Sequence, residues 1–165
     1  MIRVAAIHAE PLRQAIHALK YRGRTELAAP LARYLVATLL DAPWTTAYSA
    51  VDGIVPVPLH AERQHERGYN QSALLAEAFC HRTALPLQRN WLIRQQPTRS
   101  QVGLTAAERH RNVEQAFVAH PAVQGKRVVV LDDVYTTGAT LHACARALAR
   151  AGATAVYALA LACPR

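Results

Sequence analysis

The sequence predicts an α/β fold with a mainly parallel central sheet flanked by helices. Two patterns carry that expectation. Lys126 to Leu131 is a β-branched strand without polar alternation, as a strand covered on both faces requires. Along the chain, strand-like runs alternate with stretches whose apolar residues recur at helical spacing, joined by short connections. In such sheets a ligand sits beyond the carboxyl ends of the strands, and the chemistry is sought there.

Taken in order, Ile2 to His8 reads as a strand, and Pro11-Leu12 opens a helix carrying Leu12, Ile16 and Leu19 at helical spacing. Gly23 breaks it. Thr25 and Glu26 start a second helix whose Leu27, Leu31, Leu35 and Leu39 are expected to be buried before Pro43. Gly53 to Val57 is a short buried strand, and Pro58 to Gly68 a polar, arginine-bearing loop. Asn70 offers a cap for a helix over Gln71 to His81, with Leu74, Leu75, Ala78 and Phe79 on one face. Leu87 to Ile93 is expected as a strand, Gln95 to Gln101 as a mobile loop, Ala106 to Asn112 as a short helix and Ala116 to Ala119 as a short strand. After the strand at Lys126 to Leu131, Ala139 to Ala151 reads as a helix with Leu141, Ala145 and Leu148 inward and Arg146 and Arg150 opposite. Ala153 to Ala162 closes as a buried strand.

With 165 residues, 52% of them hydrophobic, the chain fits a single domain with a real core. No secretory leader is read near the start, and the longest apolar stretch, Ala153 to Cys163, is too short to cross a bilayer, so a cytoplasmic protein without a membrane partner is expected. Cys80, Cys144 and Cys163 lie far apart with no Cys-x-x-Cys pair, which favours small core residues over a zinc or redox motif. The net charge of +8, from 19 Lys and Arg against 11 acids, favours an anionic partner. DNA would suit the charge, but no nucleic-acid motif supports it. Phosphorylated small molecules suit it equally.

The chemistry concentrates where the apolar strand meets its helix. Two adjacent carboxylates at a strand end are costly unless they face water or a partner, so Asp132 and Asp133 are expected to project into the crevice. A ribose cis-diol is a natural partner, its hydroxyls donating to the carboxylate oxygens. Tyr135, Thr136, Thr137, Gly138, Ala139 and Thr140 then turn the chain into a helix, with Gly138 permitting the positive φ that aims successive N–H groups at one anion. Phosphate suits such a nest, and the threonine hydroxyls add donors. Alone, the acid pair or the TTGAT turn would fit an ordinary capped strand-to-helix junction. Joined on one buried strand, they read as a sugar-phosphate site.

The thirteen residues Val128 to Thr140, VVVLDDVYTTGAT, resemble the signature with which type I phosphoribosyltransferases bind phosphoribosyl pyrophosphate (PRPP). LRQAIHALKYRGRTELAAPLARYL at Leu12 to Leu35, VPVPLHAERQHERGYNQSALLAEAF at Val55 to Phe79 and TRSQVGLTAAERHRNVEQAF at Thr98 to Phe117 extend the resemblance to the ComF competence and GntX-like branch. That branch usually begins with a cysteine-rich zinc segment, whereas about eleven residues, none cysteine, precede Leu12 here.

The resemblance implies that Asp132, Asp133 and Tyr135 to Thr140 hold the ribose 5-phosphate, Asp132 and Asp133 being catalytic. It places a pyrophosphate-binding loop at Pro58 to Gly68, with Leu59, His60, Arg63, Arg67 and Gly68, and a mobile hood over PRPP with Thr98, Gln101, Arg109 and Asn112. Arg63 and Arg67 are the stronger anion ligands, because guanidinium forks give paired donors that keep their charge; His60 and His65 are weaker. Lys20, Tyr21 and Arg22 match the family's KYRG segment and would reach the acceptor or steady the pyrophosphate. The implied reaction displaces pyrophosphate from ribose C1 by a nitrogen nucleophile, with Mg²⁺ held through PRPP and water and Asp133 as a candidate general base. The acceptor molecule is left open, and so is a homodimer, since no apolar patch in the sequence isolates an interface. Two other readings keep the same loop: a non-catalytic PRPP or nucleotide sensor, and an accessory protein of DNA uptake. A Walker B reading of VVVLDD fails, because Gly125-Lys126 lacks the glycine spacing and hydroxyl of a P-loop.

Overall fold

A computed structural model describes residues 1–40, 48, 50–95 and 116–164. Four parallel strands form the central sheet: β1 (Ile2–Ile7), β2 (Gly53–Pro56), β5 (Arg127–Val134) and β6 (Ala155–Cys163), in the order β1-β6-β5-β2. The helices are α1 (Leu12–Tyr21), α2 (Ala28–Ala37), α3 (Ala61–Arg67), α4 (Gln71–Thr83) and α5 (Ala139–Arg150). A separate antiparallel ribbon pairs β3 (Leu92–Arg94) with β4 (Phe117–Ala119).

Alternation along β5 sorts the core into two layers. Val129 and Leu131, with Leu159 and Leu161 of β6, pack on Ile16 and Leu19 of α1, Leu31 and Leu35 of α2 and Leu75 and Phe79 of α4. Val128 and Val130 turn to the other face, where Leu141, Cys144 and Leu148 of α5 and Leu92 and Phe117 of the ribbon cover them. Both faces of the middle strands are therefore dry, which explains the unbroken apolar run from Val128 to Leu131 in β5. Each such side chain contributes roughly 1.5–3 kcal/mol through burial.

Several boundaries differ from the sequence expectation for physical reasons. Pro58 to Gly68 is not a continuous loop, since Ala61 to Arg67 folds as α3, capped by His60 Nδ1 on Glu62 N–H at 3.3 Å and closed by Gly68 at φ +80°. None of its residues is buried, so no apolar periodicity marked it, while Ala, Glu, Arg and Gln are good helix formers. Leu87 to Ile93 is not one strand. Leu87 makes a single bridge to Ile54, Arg89 and Asn90 turn the chain, and only then does β3 begin. The buried faces of α4 and α5 are shifted. Ala76 and Cys80 join Leu75 and Phe79 in α4, with Leu74 and Ala78 half-buried, and Ala143, Cys144 and Ala147 carry the inward face of α5 where Ala145 was expected.

The free edge of β2 is engaged by the 86–88 segment, with Ile54 N–H donating to Pro86 C=O and Gln88 N–H to Ile54 C=O, both at 2.8 Å. Asn70 then fastens α4 to the end of that strand. Its Oδ1 accepts from Ser72 and Ala73 N–H at 2.9 and 3.3 Å, and its Nδ2 donates to Val57 C=O at 3.0 Å. The expected helix at Ala106 to Asn112 and the loop at Gln95 to Gln101 lie, apart from Gln95, outside the described residues.

Candidate functional site

β5 runs farther than its apolar pattern indicated, so Asp132 and Asp133 sit inside the strand, 9% and 4% exposed. Their environments separate them. Asp132 Oδ1 accepts from Ser72 Oγ at 2.8 Å and from Asp133 N–H at 2.9 Å. Burial, and then the negative charge of Asp133, hold the Asp132 carboxyl well above the usual carboxylate range, against the smaller opposing pull of the Ser72 hydroxyl. Asp133 instead meets a cation, its Oδ2 lying 2.7 Å from Lys20 Nζ at the end of α1. Asp133 Oδ2 is thus buried with an ionic contact and no hydrogen bond. Behind Asp132, in α5, the Cys144 thiol is fully buried and raised well above its usual range by burial and then by the Asp132 charge.

Immediately after β5 the chain turns through Tyr135, Thr136 and Thr137 to Gly138, whose φ of +77° opens α5. A Cβ at Gly138 would lie 2.7–2.9 Å from ring atoms and the hydroxyl of Tyr135, so the ring closes over the glycine. No side chain caps the helix, and the contact from Ala139 N–H to Thr137 Oγ1 is long, at 3.4 Å. Thr136 and Thr137 are exposed, while Ala139 and Thr140 are half-buried. This end of α5 thus offers N–H groups, hydroxyls and a positive dipole end to an anion.

A cavity of about 500 Å³, lined by Lys20, Tyr21, Arg63, Glu66, Arg67 and Tyr69 among others, adjoins Asp133 through the Lys20 side chain. Arg63 is exposed; Arg67 is half-buried, with its guanidinium 5.1 Å from the centre of the Tyr21 ring and one amino group donating to Gln71 Oε1. The Tyr69 hydroxyl donates to Leu19 C=O, tying the end of α1 to the turn before α4. Leu59 and His60 precede α3, His60 acting as its cap, and Gly68 closes it. Of the KYRG residues, Lys20, Tyr21 and Gly23 line the cavity, and Lys20 reaches Asp133. Arg22 instead borders a separate cleft with Glu10, Arg13 and His17. The expected hood residues Thr98, Gln101, Arg109 and Asn112 lie outside the described residues.

Three features escaped the sequence. Ser72 reaches Asp132 across sixty residues of chain, and Lys20 finds Asp133 across the fold; neither pairing leaves a local signal. Arg94, at the end of β3, stacks over Phe117 at 5.4 Å. Burial and then the charge of nearby Arg63 lower its guanidinium below the usual range. Arg94 therefore adds positive charge on the Arg63 side of the site.

Residues 93–164 match the family model of the phosphoribosyl transferase domain. The chain is 40% identical over 151 residues to the DNA utilization protein YhgH of Escherichia coli K12, spanning 92% of this chain and 66% of that protein. It is 35% identical over 146 residues to competence protein F of Haemophilus influenzae, spanning 87% and 64% respectively. The chain is a ComF-like member of the phosphoribosyltransferase family. It spans just under two thirds of the length of these ComF-like relatives. Among solved structures, the Bacillus subtilis glutamine PRPP amidotransferase complexed with ADP and GMP matches 88% of this chain and 26% of its own, with a TM-score of 0.52 at 24% identity. The ComF-like chain thus has the type I phosphoribosyltransferase fold. No helix among its described residues is long and apolar enough to cross a membrane.

Proposed function

We propose that this chain binds PRPP at the carboxyl end of β5 and transfers its phosphoribosyl group to a nitrogen acceptor, releasing pyrophosphate. The observation that carries the reading is the placement of two buried, differently held carboxylates between an open helix N-terminus and a basic cavity. A 5-phosphate suits the Gly138 turn, ribose hydroxyls suit Asp132 and Asp133, and a pyrophosphate suits Arg63, Arg67 and Lys20.

The donor set also fits a hard cation. Asp133 Oδ2 is buried without a hydrogen bond and already contacts a positive group. Asp132 and Asp133 would hold Mg²⁺ indirectly, with PRPP bound, and the cation would supply charge neutralisation for the leaving pyrophosphate. The carboxylates themselves would hold the hydroxyls and stabilise positive charge developing at C1. Raised by its surroundings, Asp132 suits a proton-holding role, while Asp133 stands against the Lys20 ammonium.

Calorimetric titration with PRPP, with and without Mg²⁺, tests the reading. Saturable, metal-dependent binding followed by turnover in an acceptor screen is the expected result, and no binding in either condition rejects it. A second reading, a PRPP-binding accessory of DNA uptake without turnover, is favoured by the names of the relatives, a DNA utilization protein and a competence protein. PRPP binding without turnover, together with salt-sensitive DNA binding, would select it.

A further inference from the structure

We propose that Lys20 makes this site selective for a sugar phosphate carrying a pyrophosphate over the same sugar phosphate without one. The inference rests on the PRPP reading of the site. Lys20 Nζ stands 2.7 Å from Asp133 Oδ2, and the same side chain lines the basic cavity with Arg63, Arg67 and Tyr69. It therefore stands between the group expected to hold ribose and the groups expected to hold pyrophosphate. The backbone beneath it is anchored, because the Tyr69 hydroxyl bonds Leu19 C=O and Arg67 lies over Tyr21. The lysine stem is flexible and its ammonium has three donors. Lys20 can accordingly exchange anions by turning its side chain, with α1 staying in place.

The exchange has opposite consequences for two ligands. Asp133 is nearly fully buried, so depriving it of its cation leaves an uncompensated charge. Ribose 5-phosphate, taking Asp133 with its hydroxyls, displaces Lys20 and leaves it facing the exposed Glu66 carboxylate in the cavity wall, a far weaker partner than a buried one. PRPP displaces it too, but delivers a pyrophosphate to the space Lys20 already lines. The ion pair of the free protein thereby taxes the incomplete ligand and is replaced for the complete one.

Titrations of the whole chain with PRPP plus Mg²⁺ and with ribose 5-phosphate plus Mg²⁺, compared between wild type and Lys20→Met, test this. The expected result is a PRPP affinity about ten- to a hundredfold weaker, the worth of one charge-assisted hydrogen bond, with ribose 5-phosphate bound as well as or better than by wild type. An unchanged ratio of the two affinities overturns the inference. Lys20→Gln, which is polar but carries no charge, keeps the test readable if Lys20→Met fails to fold, and it should lose selectivity in the same direction. Failure of the wild type to bind PRPP would sink the underlying reading and the inference with it. Binding by the wild type with unaltered selectivity in the variants would sink the inference alone.

Discussion

At Asp132, burial and the neighbouring charge of Asp133 act in the same direction, so the ionised form is disfavoured in the folded chain. Its folded pKa lies above the unfolded value. The associated stability is full at low pH, below the unfolded pKa, and is lost as pH rises through the raised folded value. Asp132→Asn keeps an acceptor for Ser72 and removes the titration, so it should raise the melting temperature at pH 8 but hardly at pH 4. The gain should be about 1–3 kcal/mol at the higher pH, read from melting curves across that range, and a constant difference would contradict it. The same substitution should weaken PRPP binding. Gly138 is constrained differently. Gly138→Ala meets both a positive φ and the Tyr135 ring at 2.7 Å, and should cost about 2 kcal/mol or more and abolish phosphate binding. Adding Tyr135→Ala removes the clash but not the backbone strain, so chemical denaturation of the double variant should recover only part of the loss. These residues were legible because they are contiguous and of distinctive chemistry. Lys20 and Ser72 were not read as partners of the carboxylates, because those contacts exist only once α1, α4 and β5 are packed.

Among the elements, α4 links capping to the site. Asn70 satisfies two of its N–H groups and holds Val57 C=O, and this cap sets Ser72 against Asp132. Asn70→Ala should cost about 0.5–2 kcal/mol and also weaken PRPP binding. His120→Ala is a control, because His120 Nδ1 caps the 3₁₀ turn at Pro121–Val123. That change should lower stability with unaltered PRPP affinity, and paired titrations and melts would separate the two. Core strands and amphipathic helices were legible through periodicity, and α3 was not, having no buried residue to create it. The expected strand from Leu87 to Ile93 joined two apolar ends across the polar Gln88, Arg89 and Asn90, and the stretch in fact divides between a single bridge on β2 and the start of the ribbon.

For the whole molecule, the parallel sheet converges its functional groups at one end, and ligand binding should register as global stability. A ligand at a hundred times its dissociation constant adds about 2.7 kcal/mol. PRPP at that level should therefore raise the unfolding midpoint, and chelating Mg²⁺ should remove most of the rise; an equal shift with chelator present would exclude metal-assisted binding. The fold class followed from the alternation of strands and helices, because a sheet dry on both faces leaves a continuous apolar trace. Cys144 gives the layered packing a further use. It is sealed between α5 and the sheet, directly behind Asp132, with its thiol held protonated. An alkylating reagent can capture it only during excursions that lift α5 from β5. Its labelling rate is therefore a clock for those openings, and a ligand that bridges the Gly138 turn to the carboxylates would slow the clock without touching the sulfur.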